Sequence, residues 1–110
     1  MKYIEKTLED DNTGAVVGYH EITAINCDYA NNSVVATLSS YVSKKAKDRG
    51  KNALSFAQFT FTSSMPSRDE SAHNWVLDQL ILPEPEGFQP ETYYGYVNPH
   101  MFAGGTIKQS

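Results

Sequence analysis

The last quarter of this chain restricts the possible folds most, because it is rich in residues that interrupt regular structure. Residues 83–110 contain four prolines and several glycines, set among tyrosines and phenylalanines. Proline removes a backbone donor and glycine costs backbone entropy, so this segment cannot form a long helix or a central strand. It is also more aromatic than a plain disordered tail. We therefore predict an extended arm over residues 83–110.

The arm has two possible arrangements. Aromatic side chains are favoured at protein interfaces, so the arm can dock on a partner or on a symmetry mate. The candidate partner-binding residues in it are Tyr93, Tyr94, Tyr96 and Phe102. The last eight residues have little apolar surface of their own, which favours docking. In the alternative arrangement, the segment 93–96 folds back over the sheet of its own chain or adds an edge strand to it.

The first 82 residues are expected to form a single β-rich domain. Four segments are rich in β-branched and aromatic residues and predict strands, namely 3–8, 15–29, 33–43 and 53–63. The second and third segments are separated by a short turn at Asn31-Asn32, so they predict a long hairpin. Alternation is irregular in residues 15–29, which indicates either a β-bulge near Gly18 or His20 or burial of the strand on both faces.

One helix is expected after these strands. Ser67 and Glu70 have the spacing of a capping box, and apolar residues follow at helical intervals up to Pro83. This pattern predicts a helix over residues 68–82. The fold class is then α+β: an antiparallel β-meander of about four strands, with one C-terminal helix packed on one face and the arm extending beyond it.

Charge is distributed unevenly along the chain. The net charge is −4, which disfavours general nucleic-acid binding. Most of the cations are nevertheless concentrated in one short segment, at Lys44, Lys45, Lys47, Arg49 and Lys51. Acidic residues cluster elsewhere, for example at Glu84 and Glu86. This asymmetry suits a subunit whose basic edge meets an acidic edge of a neighbour; the alternative is a solvated loop.

No residue pattern in the chain is typical of catalysis or of cofactor binding. His20, His73 and His100 are far apart and lack the spacing of metal ligands, and Cys27 stands alone. We expect no catalytic residue, metal or cofactor. No apolar run approaches the roughly 20 residues that a membrane-spanning helix needs, so we also expect no membrane partner.

Four segments of the chain form a recognisable series: Gly18-Tyr19-His20-Glu21-Ile22, Ser39-Ser40-Tyr41-Val42-Ser43, Lys47-Asp48-Arg49-Gly50-Lys51, and the Phe-rich strand that follows. With them, residues 14–82 resemble a group of small, largely uncharacterised proteins encoded in the tail and tail-fibre modules of tailed bacteriophages. The resemblance implies a virion component, such as an adaptor, collar or baseplate-type subunit, that contacts other tail proteins and copies of itself.

We therefore expect a structural subunit of a phage tail, assembled in the host cytoplasm and forming a homo-oligomer within a larger assembly. Deleting residues 83–110 is expected to abolish assembly while leaving the fold intact. The alternative is a soluble regulatory or inhibitory protein that binds a host factor one to one.

Overall fold

The structure is a computed structural model that describes residues 2–9, 14–93 and 96–109. In this part of the chain, five strands and two helices follow one another as β1 (Lys2–Glu9), β2 (Val16–Asp28), β3 (Ser33–Tyr41), α1 (Lys44–Asp48), β4 (Ser55–Phe61), α2 (Ala72–Leu80) and β5 (Thr106–Gln109). The strands form one antiparallel sheet in the order β4-β3-β2-β1-β5. An antiparallel, broadly α+β fold is thus confirmed, with a fifth strand that we did not predict.

The hairpin of β2 and β3 is the centre of the sheet, as predicted. Its turn is closed by Asp28, whose Oδ1 accepts hydrogen bonds from the amides of Ala30 (3.1 Å) and Asn31 (3.2 Å). Asn32 takes a left-handed backbone conformation with φ 52°, which asparagine tolerates better than most residues. The turn therefore spans four residues and is longer than the two-residue loop that we expected.

Two bulges interrupt the ladder of β2. One lies in β2 itself, where the pairing with β3 shifts between Ile22 and Ala24. The other lies in β1 between Glu5 and Leu8, opposite Gly18. The first bulge explains the irregular alternation of residues 15–29, because an extra residue reverses which face the following side chains occupy.

One face of the sheet packs against α2 and forms the core. The core residues are fully or almost fully buried: Ile4, Ile22, Val34, Ala36, Leu38, Phe59, Val76, Leu77, Leu80 and Phe102. Trp75 lies at the edge of this cluster, with its ring perpendicular to that of Phe61 at 5.4 Å between centroids. The apolar stripe of the predicted helix therefore faces the sheet.

Helix α2 is shorter than the predicted helix 68–82. Its N-cap is Ser71, whose hydroxyl accepts a hydrogen bond from the Asn74 amide at 3.1 Å. The Ser67 amide does donate to the Glu70 carboxylate at 2.6 Å, as in a capping box. This contact closes a separate turn before the helix, so the prediction of the helix start was wrong by four residues.

The chain after Pro83 differs from the extended arm that we expected. It follows a series of turns, marked by amide-to-carbonyl hydrogen bonds from Phe88 to Pro85 and from Met101 to Asn98, both 3.1 Å. It then returns to the sheet as β5, which pairs with β1. The arrangement is the folded-back one, with an edge strand formed by residues 106–109. The segment 93–96, which we considered for this role, lies partly outside the described residues.

Three hydrogen bonds hold the chain after Pro83, called the returning segment below, against the domain. The Lys6 ammonium donates to the carbonyl oxygens of Met101 (2.9 Å) and Ala103 (2.8 Å), and the Gly104 amide donates to the Ile81 carbonyl at 3.1 Å. Gly105 permits the close approach, since a Cβ atom there would lie 2.8 Å from Ile4 Cγ2. Residues 101–109 are therefore part of the domain and not an arm outside it.

Candidate interaction surface

The predicted basic residues lie on α1 and on the loop after it. The helix begins at Ser43, whose hydroxyl accepts a hydrogen bond from the Ala46 amide at 3.0 Å. Lys44 is exposed and forms an ion pair with Asp48 one turn later, at 2.9 Å. Lys45, Arg49 and Lys51 are exposed and form no ion pair within the described residues. These three cations are available to a partner.

Lys47 has a different role from its neighbours, because its ammonium contacts the second face of the sheet. It donates to Glu21 Oε2 and, at 3.3 Å, to the Tyr19 hydroxyl. The Tyr19 hydroxyl in turn donates to Glu21 Oε2 at 3.0 Å. Glu21 is only 5% exposed and Tyr19 is 2% exposed. Lys47 thus fastens α1 to the sheet, a structural role that its assignment as a partner-binding residue did not include.

The electrostatics of this cluster follow from burial and pairing. The hydrogen bond to Glu21 raises the pKa of Lys47, so its ammonium stays charged. Burial raises the pKa of Tyr19, so its hydroxyl stays protonated and can donate to the carboxylate. The tyrosine ring also packs between those of Tyr3 and Tyr41, at 4.3 and 5.7 Å between centroids. The cluster is a structural anchor for α1.

The aromatic residues that we predicted to bind a partner do not lie together on one surface. Tyr93 is 64% exposed and stacks edge-on against Tyr96 at 5.3 Å between ring centroids. Tyr94 lies outside the described residues. Phe102 is fully buried in the core, between His20 and Phe59, with ring centroids at 4.7 and 5.6 Å. The prediction that Phe102 contacts a partner was therefore wrong, because its ring packs inside its own domain.

A cleft of about 470 Å³ lies beside the end of β4. Its walls come from three separate regions: β4 and the residues after it, the end of α2, and the returning segment. Apolar side chains predominate at Phe59, Phe61, Leu82, Pro83, Pro85, Val97 and Pro99. His100 is the one titratable side chain among the described residues that line it, and its ring lies edge-on to Phe88 at 4.6 Å.

The sequence did not reveal this cleft. Its three walls lie in residues 58–64, 79–85 and 97–100, and they meet only because the segment after Pro83 folds back. The prolines that ended the predicted helix carried the only local signal, since they place rigid apolar surface beside the helix end. An apolar cleft of this volume is within the usual range of ligand-binding sites, and it is large enough to take a protruding side chain of another protein.

The strand β4 adjoins the cleft and forms an edge of the sheet. It pairs with β3 on one side and with no strand on the other within the described part of the chain. Its sequence, Ser-Phe-Ala-Gln-Phe-Thr-Phe, contains no charge and no proline. The opposite edge, β5, has only four residues and carries Lys108. Short or charged edges resist pairing with other chains, so β4 is the unprotected edge of this sheet.

The described residues also limit the chemistry that can be assigned. In residues 2–9, 14–93 and 96–109, no three His, Cys, Asp or Glu side chains come together in a group that could hold a metal ion. None of the helices described here has both the length and the apolar character that crossing a membrane requires.

Comparisons were made with protein-family models, with curated proteins and with solved structures. No match to this chain was found in any of the three.

Proposed function

We propose that the protein is a structural subunit that binds other proteins, of the kind encoded in tail modules of tailed bacteriophages. The observation that carries this proposal is the apolar cleft beside β4, which leaves Leu82 and Val97 exposed on the surface of a small domain. Contiguous exposed apolar surface mostly marks contact sites for other proteins. The resemblance of residues 14–82 to proteins of phage tail modules is the reason for proposing a phage tail as the assembly.

The cleft favours a partner that presents an apolar projection. Leu82 is 50% exposed, and it follows directly on the end of α2, where Gly104 ties the helix end to the returning segment. The cleft wall is therefore held by hydrogen bonds before any partner arrives. A preformed site loses less entropy on binding than a flexible one, which suits a subunit of a stable assembly.

The exposed cations extend this surface with charge. Lys45, Arg49 and Lys51 lie on α1 and on the loop that leads into β4, so an acidic partner would be attracted to the start of that strand. No step of this function requires catalysis, a metal or a cofactor.

The proposal is tested by quantifying the protein in purified phage particles made by the strain that carries its gene. We expect the chain to sediment with particles at a fixed ratio to a major tail protein, as measured by mass spectrometry. If the chain instead remains in the particle-free fraction with a single host protein bound, the regulatory alternative replaces the structural one.

A pair of variants connects this result to the cleft. Leu82→Asp places a carboxylate in the apolar cleft, and we expect incorporation into particles to fall at least about tenfold. Val42→Asp is the matched control, because Val42 is 52% exposed but does not line the cleft. Equal incorporation of both variants would exclude the cleft as the contact site.

A further inference from the structure

We propose that β4 pairs with β4 of a second copy of this chain, in antiparallel orientation about a twofold axis at Gln58. The two five-stranded sheets would then join into one continuous sheet. This inference deepens the proposed function, since it names one partner of the subunit as a second copy of itself. It uses the open edge of β4, whereas the assembly contact proposed above uses the cleft.

The first argument is the composition of the two sheet edges. An exposed edge strand presents unpaired backbone donors and acceptors, and proteins that avoid association protect it with charge, proline or short length. The edge of β5 is short and carries Lys108, whereas β4 has seven residues without charge or proline. Phe56 on this strand is 71% exposed, the largest exposure among the large apolar side chains of the described residues. Pairing with another strand would cover it.

The second argument is the register. An axis at Gln58 places Ser55 opposite Phe61 of the other copy, so all seven residues of β4 are paired. If the twofold axis passed through any other residue, some residues of β4 would have no partner residue in the second copy. On the core side Ala57 would face Phe59, a small residue beside a large one. On the other side Phe56 would face Thr60, an aromatic and β-branched pair of the kind that stabilises antiparallel ladders.

The third argument is charge complementarity between the two ends of β4. Lys51 and Arg49 precede the strand, whereas Glu84 lies between the two prolines that line the cleft at its far end, and Glu86 follows. Antiparallel pairing brings the basic end of one copy beside the acidic end of the other, and symmetry repeats this contact. Parallel pairing would instead bring like charges together, which disfavours it.

Self-pairing and the cleft contact share part of β4, because residues 58–61 belong to the strand and also line the cleft. In this register the residues that precede Ser55 in the second copy would lie beside residues 62–64, at the end of the cleft. A dimer through β4 would therefore compete with an occupant of the cleft for residues 58–61.

The test is the solution mass of the full-length chain, measured by size exclusion with light scattering over a range of concentrations. We expect a concentration-dependent rise to twice the mass of a single chain. Gln58→Lys places two like charges opposite each other at the axis, and we expect it to weaken the dimer about two- to fivefold. Gln58 is exposed, so this substitution leaves the fold of the single chain intact.

Variants of opposite charge at position 58 test the proposed register of the two β4 strands. Gln58→Glu alone should also weaken the dimer, but an equimolar mixture of the Gln58→Lys and Gln58→Glu variants should recover the dimer mass, because opposite charges then meet at the axis. Thr106→Lys, on the exposed edge strand β5, is the control and should keep the wild-type mass.

Two results would overturn the inference. The first is a wild-type chain that stays monomeric at all concentrations, and the second is a dimer that the variants at position 58 do not affect. A monomer that is still incorporated into particles would refute self-pairing and leave the proposed function standing. Strand addition by a different protein at β4 would then explain the open edge.

Discussion

His20 shows how a single residue connects the sheet to the segment that returns to it. Its side chain is fully buried, and Nε2 lies 2.8 Å from the Lys6 carbonyl oxygen while Nδ1 lies 2.7 Å from the Ser40 hydroxyl. Since a carbonyl can only accept, Nε2 carries a proton. Burial lowers the pKa of His20 and so favours the neutral ring, in which the Ser40 hydroxyl donates to Nδ1. The imidazole is therefore neutral, with its ring against Phe102.

This arrangement predicts an acid-sensitive fold. Burial lowers the pKa of His20 below its ordinary value of 6.5, although the hydrogen bond to the Lys6 carbonyl opposes this shift. The unfolded chain therefore binds a proton at a higher pH than the folded chain does. Consequently the free energy of unfolding is at its full value above about pH 6.5 and falls as the pH drops toward the lowered pKa.

Urea unfolding measured between pH 7.5 and 5.5 checks this prediction. We expect the decrease in the free energy of unfolding to be much smaller in His20→Gln, which lacks the titrating ring. A slope that is unchanged in His20→Gln would show that other groups cause the pH dependence.

At the scale of the element, α1 depends on one partly buried ion pair. The helix has five residues and no buried residue of its own, so its own packing cannot hold it. Lys47 holds it by reaching Glu21 and Tyr19 on the second face of the sheet. Lys44 forms an ion pair with Asp48 on the same helix, but both side chains are exposed.

We therefore expect substitutions of Lys47 and Lys44 to lower the free energy of unfolding by different amounts. Lys47→Met leaves the buried Glu21 carboxylate without its cation, and we expect the free energy of unfolding to fall by about 1–3 kcal/mol, because the pair is partly open to solvent. Lys44→Met should cause no measurable change, since exposed ion pairs contribute little. Denaturant unfolding of both variants at neutral pH makes the comparison. Equal losses would mean that Lys47 does not anchor the helix.

The sequence predicted some elements well and others poorly, for physical reasons. The alternation of Val34, Ala36 and Leu38 fixes which face of β3 is buried, so the central hairpin and β4 were predictable. The start of α2 was not, because Ser67 and Ser71 both have capping chemistry and only tertiary packing selects between them. Strand β5 is four residues long and has one half-buried apolar residue, Ile107, so its pattern is too short to recognise.

At the scale of the whole molecule, the candidate surface was only partly predictable. The basic segment was visible in the sequence, since a run of cations near Gly50 is a local feature. The cleft and the open edge of β4 were not, because they depend on where the chain after Pro83 goes. The structure turns that segment back, so its aromatic residues are divided between core and surface: Phe102 is inside and Tyr93 is outside.

The return of the chain changes what a truncation should do. Deleting residues 83–110 would remove Phe102 from the core and β5 from the edge of β1. A small domain is stable by only about 5–15 kcal/mol, so these losses together are a large part of its stability. The expectation that the remainder keeps its fold is therefore replaced by the expectation that it unfolds or aggregates, and failed assembly of a truncated chain would not identify a docking arm.

Two aromatic substitutions in the returning segment test this conclusion without truncation. Phe102→Ala leaves a cavity among His20, Phe59 and the helix side chains, and we expect the free energy of unfolding to fall by about 3–5 kcal/mol. Tyr93→Ala removes an exposed ring from the same segment and should change stability by no more than about 0.5 kcal/mol. Thermal and urea unfolding at low protein concentration, where strand pairing between copies is minimal, measure both. A small loss for Phe102→Ala would mean that residues 83–110 are a separate arm after all, because a ring that supports the core cannot be removed without weakening it.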